Sequence, residues 1–231
     1  LEFCTTMYII TLEDKKNKNK VLGIRDVVNL DFEVLSKFYF TKIVVLGAGI
    51  SGHTAAAHLR RKLSKEHEVL VVSPNRNYQW VPSNIWVGIG RMKSKEVIFP
   101  LEPLYKRKGI GYKQAKAVSF HPEGDSSEAK PYILVEGVFG DSLGKQEKVT
   151  YDYLINATGP KLAFDMTEGL QPATNKVYSV CTYDHAEHAS EALHKLIDQL
   201  KKSDKKAKIL IGTGHAKATC QGAAFEYILN V

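Results

Sequence analysis

Thr41 to Gly52 reads TKIVVLGAGISG, and HTAAAHLRRKL follows it from His53 to Leu63. Ile43 to Leu46 is an unbroken apolar run and reads as a strand. Gly47, Gly49 and Gly52 then fall in the G-x-G-x-x-G spacing, and Ala55 to Ala57 give the next segment the small-residue face of a closely packed helix. Each glycine has a physical task in such a turn. The first permits the tight bend, the second lets the backbone approach a pyrophosphate, and the third lets helix and strand pack closely. The start of the helix then offers unpaired N–H groups and the positive end of its dipole to the phosphates. A second strand, Glu68 to Val72, completes a βαβ unit. Strand, glycine turn, helix and strand together predict a dinucleotide site rather than an ordinary βα turn.

The bulk properties narrow the choice further. A chain of 231 residues is long enough for one large or two small domains with a real core. The net charge of +7 comes from 32 basic and 25 acidic residues. Its clusters, Lys15 to Lys20 and Lys201 to Lys208, read as solvated surface more readily than as contacts to anionic lipid. No basic helix with interleaved aromatics appears, so nucleic acid is not an expected partner. No apolar run approaches the ~20 residues that span a bilayer, and no secretory signal is visible. Cys4, Cys181 and Cys220 do not make a disulfide framework, and no metal site is expected.

Taken in order, residues 1–40 fit poorly with the rest of the chain. The chain opens on Leu-Glu-Phe, carries the low-complexity KKNKNK, and is read there as an extension without assigned function. A natural start just before Thr41 would suit the fold better. The strand after the first helix ends in VLVVSPN, with Ser73 and Asn75 where an Asp or Glu often grips the ribose. That departure weakens NAD as the ligand more than FAD. Asn77 to Gly90, NYQWVPSNIWVGIG, is predicted as an aromatic loop leading to a short helix or turn. Tyr112 to Phe120, Tyr132 to Gly137 and Lys148 to Asn156 read as an antiparallel meander. Its last strand ends in Ala157-Thr158-Gly159, small residues that allow close approach to a cofactor. A helix then opens near Asp184, with Glu187 placed as in a capping box, and runs to a lysine-rich last turn. KILIGTGHAKATCQGAAFEYILNV predicts a second strand, turn and helix. Gly212 and Gly214 repeat the motif there, while Lys217 takes the third glycine position. The chain stops at Val231 inside that helix, so the N-terminal part of a longer protein is expected.

Five segments carry a resemblance to the sulfide:quinone oxidoreductases, within the two-domain flavoprotein disulfide-reductase superfamily. They are GAGISG (47–52), QWVPSNIWVGIG (79–90), YDYLINATGPKLAF (151–164), SVCTYDHAEHA (179–189) and TCQGAAFEY (219–227). The resemblance runs from about Thr41 to Val231. It implies an α/β fold: a Rossmann-like FAD-binding domain with an inserted antiparallel β-meander over 41–165, then the truncated start of a second Rossmann-like domain over 166–231. It also implies where FAD lies. The pyrophosphate falls at Gly47, Ala48, Gly49 and Gly52, the ribose at Ser73 and Pro74, the flavin-side loop at Val81 and Asn84, and the adenine at Lys116 and Ala117. Thr158 and Gly159 close the site.

The same resemblance implies the chemistry. Sulfide is oxidised by a pair of redox-active cysteines, and electrons pass through FAD to a membrane quinone while sulfur leaves as polysulfide. Cys220 matches one member of the pair, whose partner falls in the family's second half. Cys181 matches an assisting position, and His185 matches a histidine that moves protons. The residues themselves agree with this, because the positive end of a helix favours the nucleophilic thiolate, Cys181 precedes one helix and Cys220 leads into another. The family sits on the membrane surface as a peripheral protein, on a side the sequence does not give, through C-terminal helices. A homo-oligomer is compatible with this reading. Three alternatives stand beside it: a type II NADH:quinone dehydrogenase, the flavoprotein subunit of a cytochrome-linked sulfide dehydrogenase, and a non-catalytic nucleotide-binding module. Lys217 in place of glycine argues against the first.

Overall fold

Residues 10–11, 21–22 and 40–231 are described in the computed structural model, apart from 171–176, 216, 217 and 219. Most of the extension read over residues 1–40, together with Cys4 and Lys217, lies outside these. Ile10–Thr11 (β1) and Val21–Leu22 (β2) form a short antiparallel pair. The chain divides into two compact units, one of residues 8–78 and 100–160 and another containing 79–99 and 161–231.

The first unit is built around the predicted βαβ. β3 (Lys42–Leu46), α1 (Ile50–Lys62) and β4 (Glu68–Ser73) follow one another. β5 (Asn77–Gln79) carries the chain out to the other unit, where α2 (Asn84–Gly88) and α3 (Ser94–Val97) lie, and β6 (Ile98–Pro100) brings it back. Then come α4 (Leu101–Lys108), β7 (Gly111–His121), β8 (Tyr132–Gly137), β9 (Gln146–Thr150) and β10 (Tyr153–Asn156). One sheet holds six of these strands in the order β10-β3-β4-β7-β8-β9. β10, β3, β4 and the start of β7 run parallel, and the rest is antiparallel.

The apolar runs explain this layout. A central parallel strand is buried on both faces, so it needs no polar alternation. Ile43 and Val45 turn to one face and pack with Ala55, Ala56 and Leu59 of α1 and with Leu101 and Tyr105 of α4. Val44 and Leu46 turn to the other, against Ile133 and Val135 of β8, Val149 of β9 and Leu154 of β10. The meander therefore replaces the helices on that face. α1 ends in Arg60, Arg61 and Lys62, which complement its dipole. Arg60 also donates to the carbonyls of Leu63 at 3.0 Å and His67 at 2.7 Å, tying the loop after the helix back to it.

Two expectations are corrected. The predicted strand Lys148 to Asn156 is two strands. β9 ends at Thr150 and pairs antiparallel with β8, whereas β10 starts at Tyr153 and pairs parallel with β3 at the far edge. Asp152 makes the break, its carboxylate accepting the Lys42 N–H at 2.8 Å. In the second unit, α5 (Tyr183–Leu200) and α6 (Gly222–Asn230) form as expected, α5 being capped by Thr182 rather than starting at Asp184. The strand predicted at the start of KILIGTGHAKATCQGAAFEYILNV does not form. Ile209 is 47% exposed and Leu210 96%, and among the described residues no neighbouring strand pairs with them. Apolar sequence alone does not make a strand without a ladder partner.

The β7–β8 turn is tied by Asp125. Its carboxylate accepts from Lys148 Nζ at 2.8 Å, the Ser127 hydroxyl at 2.8 Å, the Glu128 N–H at 2.9 Å and the Tyr132 hydroxyl. Hydrogen bonds from Lys148, then Tyr132 and Ser127, hold this carboxyl well below the usual carboxylate range. A group with its folded pKa depressed stabilises the fold above its unfolded value, near 4. Asp125→Asn is therefore expected to speed amide exchange in β8 and β9 at neutral pH. The difference from the parent should shrink as the pH falls below about 4, which hydrogen–deuterium exchange across a pH series measures.

Candidate functional site

The glycine turn sits where β3, β4 and β10 end together. The Gly47 N–H donates to the Val72 carbonyl at 2.8 Å, and the Ala157 N–H donates to the Leu46 carbonyl at 2.8 Å. Gly47 has φ +93°, a conformation that side chains disfavour. A β-carbon on Gly47 would overlap the Ala157 carbonyl, and one on Gly52 would overlap the Gly47 carbonyl. Turn, helix and the end of β10 are thus in backbone contact. At Gly49, by contrast, no atom of the described residues beyond its own chain neighbours lies within 4 Å of where a β-carbon would stand. Gly49 caps α1 with φ −71° and no side-chain acceptor, and the first helical turn carries no acid. The N–H groups at the start of α1 are left to an anion approaching past Gly49, the situation that suits a phosphate. Ala48 is buried beside them.

The remaining predicted contacts divide. Thr158 and Gly159 are exposed at the end of β10, next to the turn. The Asn156 side chain accepts both the N–H and the hydroxyl of Thr158, at 3.3 Å and 2.9 Å, and shapes this end. Asn156 is not among the residues expected from the sequence, although an Asn shortly before a Gly is a turn signal. Ser73 is 1% exposed and its hydroxyl accepts the Asn75 N–H at 3.3 Å, so it braces the turn after β4 from inside. Pro74 is exposed there. Lys116 is exposed on β7 and paired with Glu136 at 2.7 Å, and Ala117 packs against the core. His53, in the first turn of α1, places Nδ1 3.3 Å from the Tyr105 hydroxyl, and burial and then Lys108 lower its pKa.

Val81, Asn84, Cys181, His185 and Cys220 all belong to the other unit. Val81 is 52% exposed. Asn84 is 1% exposed, and neither polar atom of its side chain has a hydrogen-bond partner among the described residues. A buried amide without partners is costly unless something arrives to satisfy it. The turn of α2 that carries it is held by Tyr227 of α6, whose hydroxyl donates to the Gly88 carbonyl at 2.8 Å; no local sequence signal marks that bond. Cys181 and Cys220 are both exposed and not joined to each other. Each lies two residues before a helix, α5 and α6 respectively. His185, in the first turn of α5, meets Phe164 edge-on at 5.3 Å and has a buried Nδ1 without a partner among the described residues.

Comparison with known proteins decides the family. Residues 41–216 match the model of the pyridine nucleotide-disulphide oxidoreductases. The chain belongs to this family. Sulfide-quinone reductase of Aquifex aeolicus is 27% identical over 187 residues, covering 81% of this chain and 37% of that protein. An external alternative NAD(P)H-ubiquinone oxidoreductase of Arabidopsis thaliana mitochondria is 30% identical over 165 residues, covering 71% and 26%. The Aquifex aeolicus sulfide:quinone oxidoreductase structure superposes with a TM-score of 0.54 at 25% identity, over 68% of this chain and 32% of that one. The chain spans about a third of the length of these relatives. The resemblance read from the sequence and the α/β fold expected from it are both met.

FAD is the cofactor of this family, and the cradle fits it: two glycines admit no side chain, a third faces open space, and an uncapped helix start awaits an anion. Two substitutions separate fold from ligand. Gly52→Ala is expected to unfold or strongly destabilise the protein, because its methyl group meets backbone. Gly49→Ala should change stability by no more than about 1 kcal/mol while weakening FAD binding at least about tenfold. Thermal melts and fluorescence titration check both.

Proposed function

We propose that the protein oxidises sulfide and passes the electrons through FAD to a quinone at the membrane surface. The observation that carries this reading is the combination of a built dinucleotide cradle with two exposed cysteines, each two residues before a helix. The sulfide-quinone reductase match supports it. Bound FAD supplies a two-electron relay between sulfide and quinone.

The chain's own residues have separable roles in this reading. The N–H groups at the start of α1 hold the pyrophosphate, and Gly47 and Gly52 keep that end of the site closed to side chains. Asn84 offers its buried amide to the cofactor. Cys220 is one of the redox pair, with its partner in the portion of the relatives that this chain does not span. Hydrosulfide opens their disulfide: one sulfur–sulfur bond forms as another breaks, leaving a persulfide on one cysteine and a thiolate on the other. A second hydrosulfide takes the outer sulfur away as polysulfide and leaves a second thiolate; the two thiolates then re-form their disulfide and give up two electrons, which the quinone gains with two protons. Cys181 assists sulfur release. Nδ1 of His185, without a partner among the described residues, accepts or returns a proton. Membrane association is through the family's C-terminal helices; among the described residues no helix is long and apolar enough to cross a membrane.

A type II NADH:quinone reading is favoured by the NAD(P)H-ubiquinone oxidoreductase match. It needs a second glycine turn able to hold NADH, and the sequence there places Lys217 at the third glycine position. Spectra of the FAD-loaded protein without oxygen distinguish the two. Bleaching of the flavin by sulfide but not by NADH, slowed at least about a hundredfold in Cys220→Ser, is the expected outcome. Bleaching by NADH alone would assign the protein to the dehydrogenases and leave its cysteines structural.

A further inference from the structure

α1 and α4 cover one face of the sheet, and each leads into the start of a parallel strand, β4 and β7. Their last turns therefore lie at the edge of the sheet opposite the glycine turn. Arg60, Arg61 and Lys62 end α1, and Lys106, Arg107 and Lys108 end α4. Helix dipoles favour cations there, but nothing acidic balances them. None of the six has a carboxylate partner among the described residues. Along α1, with Lys108 of α4 on its wall, lies a cleft of about 470 Å³, a size found among small-molecule sites. No acidic residue lines it, and neither does any residue of the cradle from Gly47 to Gly52.

Thr54, His58 and Arg61 line this cleft at spacings of four and three, so they share one face of α1. His53 lines it from the first turn of the helix. Arg60 is a fixed charge on its wall, since its guanidinium is held by the Leu63 and His67 carbonyls. Arg61 donates to His58 Nδ1 at 3.1 Å and has further N–H groups to offer. That bond needs a lone pair on Nδ1, so it stands only while His58 is neutral. Both histidines are biased toward the neutral form. Burial and then Lys108 lower the pKa of His53, and burial and then Arg61 and Lys62 lower that of His58. The other groups against His53 are the Tyr78 ring, at 5.2 Å, and the Tyr105 hydroxyl, whose own pKa burial pushes up. A positive potential without a counter-charge is thus built into the cleft. A dianion entering it favours imidazolium, and a proton on His58 Nδ1 releases Arg61 toward the anion. A carboxylate brings one charge and two oxygens. A phosphate monoester brings up to two charges and three terminal oxygens, which match this set of donors better.

We infer that this cleft binds the phosphate group of a small phosphate monoester, with Arg61 and Lys108 supplying charge and Thr54, His53 and His58 the remaining donors. Binding takes up protons at the histidines and strengthens as the pH falls. The site is separate from the cofactor cradle and does not depend on the sulfide reading.

Sulfate is the first probe, because it stays dianionic across the histidine range and its pH dependence reports the protein alone. Histidine proton resonances, with His58 identified by His58→Gln, are followed as sulfate is added to the parent, Arg61→Gln and Lys108→Gln. Thermal melts show that the variants fold. The expected result is a His58 that titrates at higher pH with sulfate bound, and sulfate binding about tenfold tighter at about pH 5.5 than at about pH 7.5. Each variant is expected to bind sulfate about tenfold more weakly, and glycerol 3-phosphate to displace it from the parent. An unmoved His58 titration, or equal sulfate affinity in parent and variants, would overturn the site. Excess FAD should leave the His58 response in place, and its loss would overturn the site by moving the anion to the cradle. Phosphatidylcholine vesicles with and without phosphatidate present the same phosphate monoester on a lipid. Binding to phosphatidate vesicles that the variants lose, without any response to glycerol 3-phosphate, would overturn the small-molecule ligand in favour of a membrane surface.

Discussion

Two positions, Gly47 in the turn after β3 and Gly52 in the first turn of α1, have no room for a β-carbon, and much of the first unit is arranged to make that tolerable. Gly47 and Gly52 bring three pieces of backbone together: the end of β3, the start of α1 and the end of β10. Such contact is productive only if each strand end is held in register. The sheet supplies this, with Leu46 paired to Val72 on one side and to Asn156 on the other. The buried faces of β3 then need opposite partners, α1 and α4 on one side and the meander on the other. The cofactor cradle is thus a by-product of packing: helix N–H groups face outward because the turn beneath them is fully occupied by main chain.

The sequence revealed those parts of the fold that depend on local pattern. The apolar run of β3, the glycine spacing and the turn-bounded strand β8 are properties of a few adjacent residues, and the predicted bounds of β8 coincide with the observed ones. The errors fall where a distant group intervenes. The split between β9 and β10 turns on Asp152 accepting the Lys42 N–H across 110 positions, which nothing near Asp152 announces. Ser73 has a residue type suited to a ribose, but its hydroxyl is taken up by Asn75 two positions on. Ile209 and Leu210 have strand composition without a strand to join.

Under the proposed function, holding and reacting fall to different units. Most residues assigned to the cofactor lie in the unit built on the parallel sheet, while the cysteines and His185 lie in the one built around α5 and α6. The first has a sizeable core on both faces of its sheet, and the second buries few large side chains. Its apolar residues Phe225 and Leu229 stand 68% and 85% exposed on α6. Under the proposed function the reactive groups are thus carried on the part of the chain with the smaller core, where both cysteines are exposed.

The position of β10 has a consequence for the order of events during synthesis. The glycine turn leaves the ribosome about 110 residues ahead of the strand that completes it, the separation between Lys42 and Asp152. At roughly 5–20 residues per second, that is a delay of roughly 5–20 s. Throughout it β3 is an edge strand, its one flank uncovered and its glycine turn without the Ala157 carbonyl against it. The cradle therefore matures late, and nascent chains pass through a period in which an apolar strand edge must be kept from pairing with a neighbour.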